Sequence, residues 1–196
     1  MDAQKDAWEQ LYSTQSRPWR GVADLSWTAV EKGEKVLDLG CGNGKSSLAL
    51  LEKGCIVTGA DFSESAIESC RKNIGDRARF VVADVRDLPF ETDEFDAVLA
   101  VHVLEHVPEE DLALAVSEVL RIVRNGGTVY LQCFAEGDMR SEGKKEDVRN
   151  GILYRYFSEM DVELMFCCAS EVNIEPIEEP TRFGTVRRRL QCVIRK

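Results

Sequence analysis

Apolar residues fall in short, nearly unbroken runs, separated by stretches in which they recur every three or four positions. Lys35-Val36-Leu37-Asp38-Leu39, Ile56-Val57-Thr58-Gly59-Ala60, Phe80-Val81-Val82, Phe95 to Val101 and Thr128 to Phe134 read as strands. Runs this apolar suit parallel strands covered on both faces. Between them, Lys45 to Lys53 reads as a helix closed by Gly54, and Ser63 is placed to cap another that reaches Ile74 and Gly75. Behind Pro108, Leu112, Val116, Val119, Leu120 and Val123 keep helical spacing, with Asn125-Gly126-Gly127 as the stop. Strands and helices alternating at this length predict an α/β fold, a Rossmann-like doubly wound and mostly parallel sheet with helices on both faces.

The flanks are less regular. Ala3 to Tyr12 reads as a helix with Trp8 and Tyr12 on one face, so residues 1–30 form an N-terminal helix and cap. Ala135 to Gly151 is polar and rich in glycine, and residues 135–157 read as a lid-like loop. Ser158-Glu159-Met160-Asp161 resembles a capping box that opens a helix bearing Val162, Met165 and Phe166. Val172 to Glu175 and Val186 to Ile194 are expected to close the fold as a hairpin-like edge, with a loop around Pro176 and Pro180. The 196 residues are read as a single domain.

Charge narrows the partners. Thirty-five acidic against 25 basic side chains leave a net charge of −10, a field that repels nucleic-acid backbones and anionic membranes. Arg182 to Lys196 is the exception, with six basic residues and no acid; a solvated edge strand is its simpler reading and a phosphate site the other. Seven cysteines, without CxxC spacing and far in sequence from His102 and His106, point to reduced thiols and no metal site. The polar first residues, and the lack of any apolar run near the ~18 residues a membrane span needs, lead to the expectation of a cytoplasmic protein.

Candidate chemistry begins at Asp38-Leu39-Gly40-Cys41-Gly42-Asn43-Gly44, between a strand and a helix. There backbone N–H groups and the helix dipole face a ligand, and glycine lets the backbone approach it closely. The spacing is GxGxG rather than the GxGxxG of nicotinamide sites, and Asp38 would repel a pyrophosphate but attract an ammonium group. Asp61, 21 positions beyond Gly40, ends the second strand, where a carboxylate can accept from both hydroxyls of a ribose. Phe62 offers a flat face to a purine, and Asp84, ending the third strand, can accept from an exocyclic amine. Ammonium, ribose and adenine in strand order describe an adenosyl amino acid.

Val36 to Gly44, Ala60 to Ser63, Ala83 to Val85, Asp87 to Phe90, Phe95 to Val98 and Leu104 to Val107 together resemble the class I S-adenosylmethionine-dependent methyltransferase family, of the small-molecule, ubiquinone-biosynthesis-type branch. The resemblance covers residues 36 to 134 and implies a seven-stranded sheet with its last strand antiparallel. It implies S-adenosylmethionine as cofactor and S-adenosylhomocysteine as product. Gly40, Cys41 and Gly42 would then line the methionine and ribose by their backbone, with Asp38 reaching the amino group directly or through water. Asp61 would hold the ribose, Phe62 and the Val85 N–H the adenine ring, Asp84 its amine, and the Val101 carbonyl the methionine ammonium.

The acceptor is thinly marked. In-line methyl transfer draws much of its rate from alignment, and a base is needed only where a proton must leave. His102 and His106 follow the fourth strand and are the candidates for that base. No Pro-Pro-aromatic tetrapeptide of amide and nucleobase enzymes follows that strand, which leaves small-molecule or lipid-like acceptors. Trp8, Tyr12, Trp19, Arg20, Arg140, Tyr154, Arg155 and Tyr156 are candidates for the acceptor pocket. The rival readings are a cofactor-binding module without catalysis, an RNA or protein methyltransferase, and an NAD-dependent oxidoreductase. Oligomeric state is left open.

Overall fold

A computed structural model describes residues 3–15 and 23–196, so the expectations for Trp19 and Arg20 lie outside the described residues. The central sheet has seven strands in the order β3-β2-β1-β4-β5-β9-β8. These are β1 (Lys35–Leu39), β2 (Ile56–Asp61), β3 (Arg79–Val82), β4 (Phe95–Val101), β5 (Val123–Phe134), β8 (Glu171–Pro180) and β9 (Val186–Arg195). Strands β1 to β5 are parallel, and β9, the last in the chain, runs antiparallel between β5 and β8. The fold expected from the apolar runs is the one found.

Strand parity decides which face each residue meets. Leu37, Leu39, Val98, Ala100, Val129, Leu131 and Cys133 point to one side, where α4 (Glu109–Ile122) brings Ala115, Val116, Val119 and Ile122 and α5 (Glu159–Met165) brings Val162. Val36, Val57, Ala97, Leu99 and Tyr130 point to the other, where α2 (Lys45–Glu52) lays down Ala49 and Leu50. On that same side α3 (Glu64–Ile74) packs Ile67, Cys70 and Ile74 against Phe80. Ser63 caps α3 by accepting the Ala66 N–H, and Ser158 and Asp161 form the capping box of α5. Across the carboxyl ends of the parallel strands lies α1 (Ala3–Thr14), its Trp8 and Tyr12 rings stacked at 5.9 Å.

Four expectations are corrected. Helix α4 stops at Ile122 rather than at Asn125, because Val123 already pairs with Phe95; the register then jumps to Ala97–Thr128, and residues 124–127 bulge outward. A side chain on Gly127 would strike the Asp96 carbonyl, so the glycine serves this bulge and not a helix stop. Residues 135–157 are not a plain loop: β6 (Glu146–Arg149) and β7 (Ile152–Arg155) form a hairpin. Its two-residue turn, Asn150-Gly151, has both residues at positive φ, the conformation that matches strand twist. Finally, Pro176 lies within β8 and not in a loop. The basic stretch belongs to an interior strand, not an edge: Arg188 and Arg189 of β9 bind Glu178 and Glu179 of β8 at 2.7 and 2.5 Å. An edge strand tolerates the proline.

The described cysteines are all free, five of them buried. Among the described residues no helix is long and apolar enough to cross a membrane, and no cluster of His, Cys, Asp or Glu is placed to hold a metal ion.

Candidate active site

One cavity opens at the carboxyl ends of β1 to β4, where ligands sit in sheets wound this way. It holds about 730 Å³ of empty space, its mouth included. Gly40, Asp61, Phe62, Asp84, Val85, His102 and His106 are on its wall, and Gln4, Trp8 and Tyr12 of α1 roof it. Nine of the residues expected from sequence, Trp8 and Tyr12 included, are therefore brought together.

The glycine bend is tied to β2. Asp61 accepts the Gly42 N–H through Oδ2 and the Ser63 N–H through Oδ1, both at 2.9 Å, while the Cys41 N–H donates to the Ala60 carbonyl at 3.0 Å. Gly40, Gly42 and Gly44 all have positive φ, and a Cβ on Gly42 would lie 2.4 Å from the Tyr12 hydroxyl. Burial pushes the Asp61 carboxyl up to about 6, against the pull of its backbone donors, and the charge of Glu9 adds to the rise. Glu9 itself bridges α1 to the start of α3, accepting from Ser63 Oγ at 2.7 Å and from the Ser65 N–H and hydroxyl. These bonds outweigh burial and hold its carboxyl below the ordinary range.

Asp84 is half-exposed at the tip of β3 and already engaged. Arg86 meets it as a fork, Nε to Oδ1 at 2.9 Å and Nη2 to Oδ2 at 2.6 Å, and reaches on to Asp111 at 2.7 Å. Burial opposes but Arg86 prevails, so the Asp84 carboxyl stays below its usual range. Each oxygen keeps a second lone pair for a ligand donor.

Asp38, Cys41, Gly42 and Val101 do not line the cavity. Parity turns Asp38 toward α2, where its Oδ2 accepts from Ser47 Oγ at 2.6 Å beneath the bend. Burial, with the Asp61 charge in addition, lifts its carboxyl to about 7. The Asp38 carboxylate thus lies beneath the bend and off the cavity wall. The Cys41 thiol packs with Cys70 and Phe80 in the core, which leaves only its backbone toward the bend. Val101 ends β4 one residue before the wall.

Both histidines border the cavity in different settings. His106 donates Nδ1–H to the Leu153 carbonyl at 2.6 Å and stands edge-on to Trp8 and Tyr154, each at 5.0 Å. Burial pushes its imidazole below the ordinary histidine range. His102 joins Glu105 at 2.6 Å and stacks on Phe134 at 4.3 Å. Of the residues expected in an acceptor pocket, Trp8 and Tyr12 are on the wall. Arg140, Tyr154 and Tyr156 surround Phe134 behind it, whereas Arg155 is turned away to Glu146 at 3.0 Å. The sequence reading missed Glu105, Arg86, Glu9 and Gln4. For Glu105 the signal was there, an acid three positions after a histidine at a strand end.

Backbone donors at a glycine bend, a carboxylate at the next strand tip, an aromatic beside it and a third acidic tip fit an adenosyl amino acid. A model of the methyltransferase domain matches residues 37–131. Over those residues the chain is similar to methyltransferases. It is 43% identical over 115 residues to a demethylmenaquinone methyltransferase of Clavibacter sepedonicus, a match that covers 58% of this chain and 46% of that one. It is 35% identical over 130 residues to the chloroplastic 2-phytyl-1,4-beta-naphthoquinone methyltransferase of Arabidopsis thaliana, covering 61% and 49%. The chain thus spans less than half the length of these curated relatives. A solved SAM-dependent methyltransferase from Methanosarcina mazei shares the fold, with a TM-score of 0.76 at 22% identity over 90% of this chain and 99% of that one.

Proposed function

We propose that this chain moves a methyl group from S-adenosylmethionine to a small-molecule acceptor. The observation that carries the reading is the single cavity in which the glycine bend, Asp61, Phe62 and Asp84 converge. Relatives named for demethylmenaquinone and a phytyl-naphthoquinone support a small acceptor over RNA or protein, as does the pairing of the β9 arginines with β8 glutamates.

When bound, S-adenosylmethionine supplies an electrophilic methyl on a sulfonium. Asp61 accepts from the ribose hydroxyls with lone pairs left over from Gly42 and Ser63. Phe62 and the Val85 N–H would hold the adenine ring and Asp84 its amine, while Arg86 fixes the Asp84 carboxylate plane. Gly40, with the backbone of Cys41 and Gly42 next to it, would hold the methionine portion, the Val101 carbonyl beside the wall would accept from its ammonium, and Asp38 would act from beneath the bend, through water. Helix α1 keeps water out of the space in front of His102 and His106, the two residues assigned to acceptor chemistry.

The test is incubation of the chain with methyl-labelled S-adenosylmethionine and a fractionated cell extract. Label in a small organic molecule is the expected result. Label in RNA or protein overturns the acceptor class, and cofactor binding with no label anywhere favours a binding module without catalysis. A fluorescence titration with NADH should show no binding.

A further inference from the structure

Behind the cavity wall, the buried Glu105 carboxylate meets the ring of His102. Glu105 is fully buried, its Oε1 lies 2.6 Å from His102 Nδ1, and its Oε2 has no hydrogen-bond partner among the described residues. A buried carboxylate with an orphan oxygen costs stability, and an alanine or leucine here would pack without that cost. His102 is held in the left-handed region at φ 58, pinned by its N–H to the Gln132 carbonyl at 2.8 Å. Left-handed backbone at a residue with a side chain is strained, and such strain gathers at functional sites. Its ring lies flat on Phe134, so rotation about the side chain is blocked on one face. Cys133 of β5, His106 on the same turn and Tyr154 of β7 are the other titratable groups nearby, and none hydrogen-bonds to either member of the pair.

We infer that Glu105 is a positioning residue that fixes the tautomer of His102, so that His102 acts as the base for a hydroxyl-bearing acceptor. The inference rests on the methyltransferase reading above and adds the acceptor's chemistry to it. With the Glu105 carboxylate accepting Nδ1–H, the lone pair of His102 is left on Nε2, which has no partner among the described residues and belongs to a half-exposed ring on the cavity wall. As the acceptor oxygen forms its bond to the methyl carbon, the methyl–sulfur bond would break with its electron pair left on the sulfur of S-adenosylhomocysteine, while the acceptor's O–H bond breaks and the proton passes to Nε2. The electron pair stays on oxygen, and the imidazolium that results is neutralised by the Glu105 carboxylate. His106 suits this role less, because it is packed between Trp8 and Tyr154.

The chain has only two histidines, so long-range proton–nitrogen NMR of the full chain with S-adenosylhomocysteine reads both rings. In mildly alkaline buffer both are expected as Nδ1–H tautomers: His106 because a carbonyl only accepts, His102 because of Glu105. Glu105→Gln should shift the His102 ring toward the Nε2–H form, since an amide can donate to Nδ1. An Nε2–H ring in the wild type that persists in His106→Gln overturns the inference. So does a Glu105→Gln spectrum with unchanged tautomers. If that variant fails to fold, the wild-type spectrum alone decides. Calorimetric binding of S-adenosylhomocysteine separates the two readings: no binding defeats the methyltransferase reading, whereas binding with the wrong tautomer defeats only this one.

Discussion

The Asp61 carboxylate accepts the Gly42 N–H at 2.9 Å, which makes the tip of β2 and the bend after β1 one mechanical unit. Asp61→Ala removes that tie and the acceptor for the ribose. Binding of S-adenosylhomocysteine should weaken by roughly 1–3 kcal/mol, the range for a lost charge-assisted hydrogen bond. Calorimetry checks it, and an unchanged affinity would take the ribose role away from Asp61.

Ribose hydroxyls donate to a carboxylate, so the ionised form of Asp61 is the binding form. Burial holds that carboxyl at about 6 in the folded chain. Affinity for S-adenosylhomocysteine should therefore rise with pH through that value and level off about one unit above it. In Asp61→Asn the same titration series should lose this step.

Stability should run the opposite way with pH at these positions. Folding raises Asp38 to about 7 and Asp61 to about 6, so the folded chain keeps protons that the unfolded chain releases near 3.8. Their contribution is present at acid pH and is lost as pH rises from the unfolded value through the folded ones. Asp84 and Asp138, held low, act in the other direction, so the informative quantity is a difference between variants. In urea titrations Asp38→Asn should gain on the wild type as pH climbs from about 4 to about 7. A difference that stays flat would mean Asp38 titrates normally.

Gly42→Ala meets two obstacles, a positive φ and the Tyr12 hydroxyl 2.4 Å from the new Cβ. The backbone part alone costs about 1–2 kcal/mol. Tyr12→Ala in the same chain should recover only the remainder. Equal stability of the single and double variants would show that α1 does not lie over the bend.

The doubly wound sheet was legible because each parallel strand is buried on both faces and so written as a solid apolar run. That Asp61 and Asp84 stand at the cavity was legible because strand tips fix them. The setting of Asp38 was not legible, because the bond from Ser47 joins a strand end to a helix nine residues on. The β6–β7 hairpin escaped because its strands are short and polar, and only Asn150-Gly151 marks the turn. Arg86 and Glu105 act through partners brought close by the fold, the second across a single 3₁₀ turn that no apolar period announces.

Calorimetric titration of the full chain with S-adenosylhomocysteine tests the central claim most directly. Saturable one-to-one binding at micromolar concentration or tighter, weakened in Asp61→Ala, is the predicted result. A folded chain that gives no binding would contradict the account.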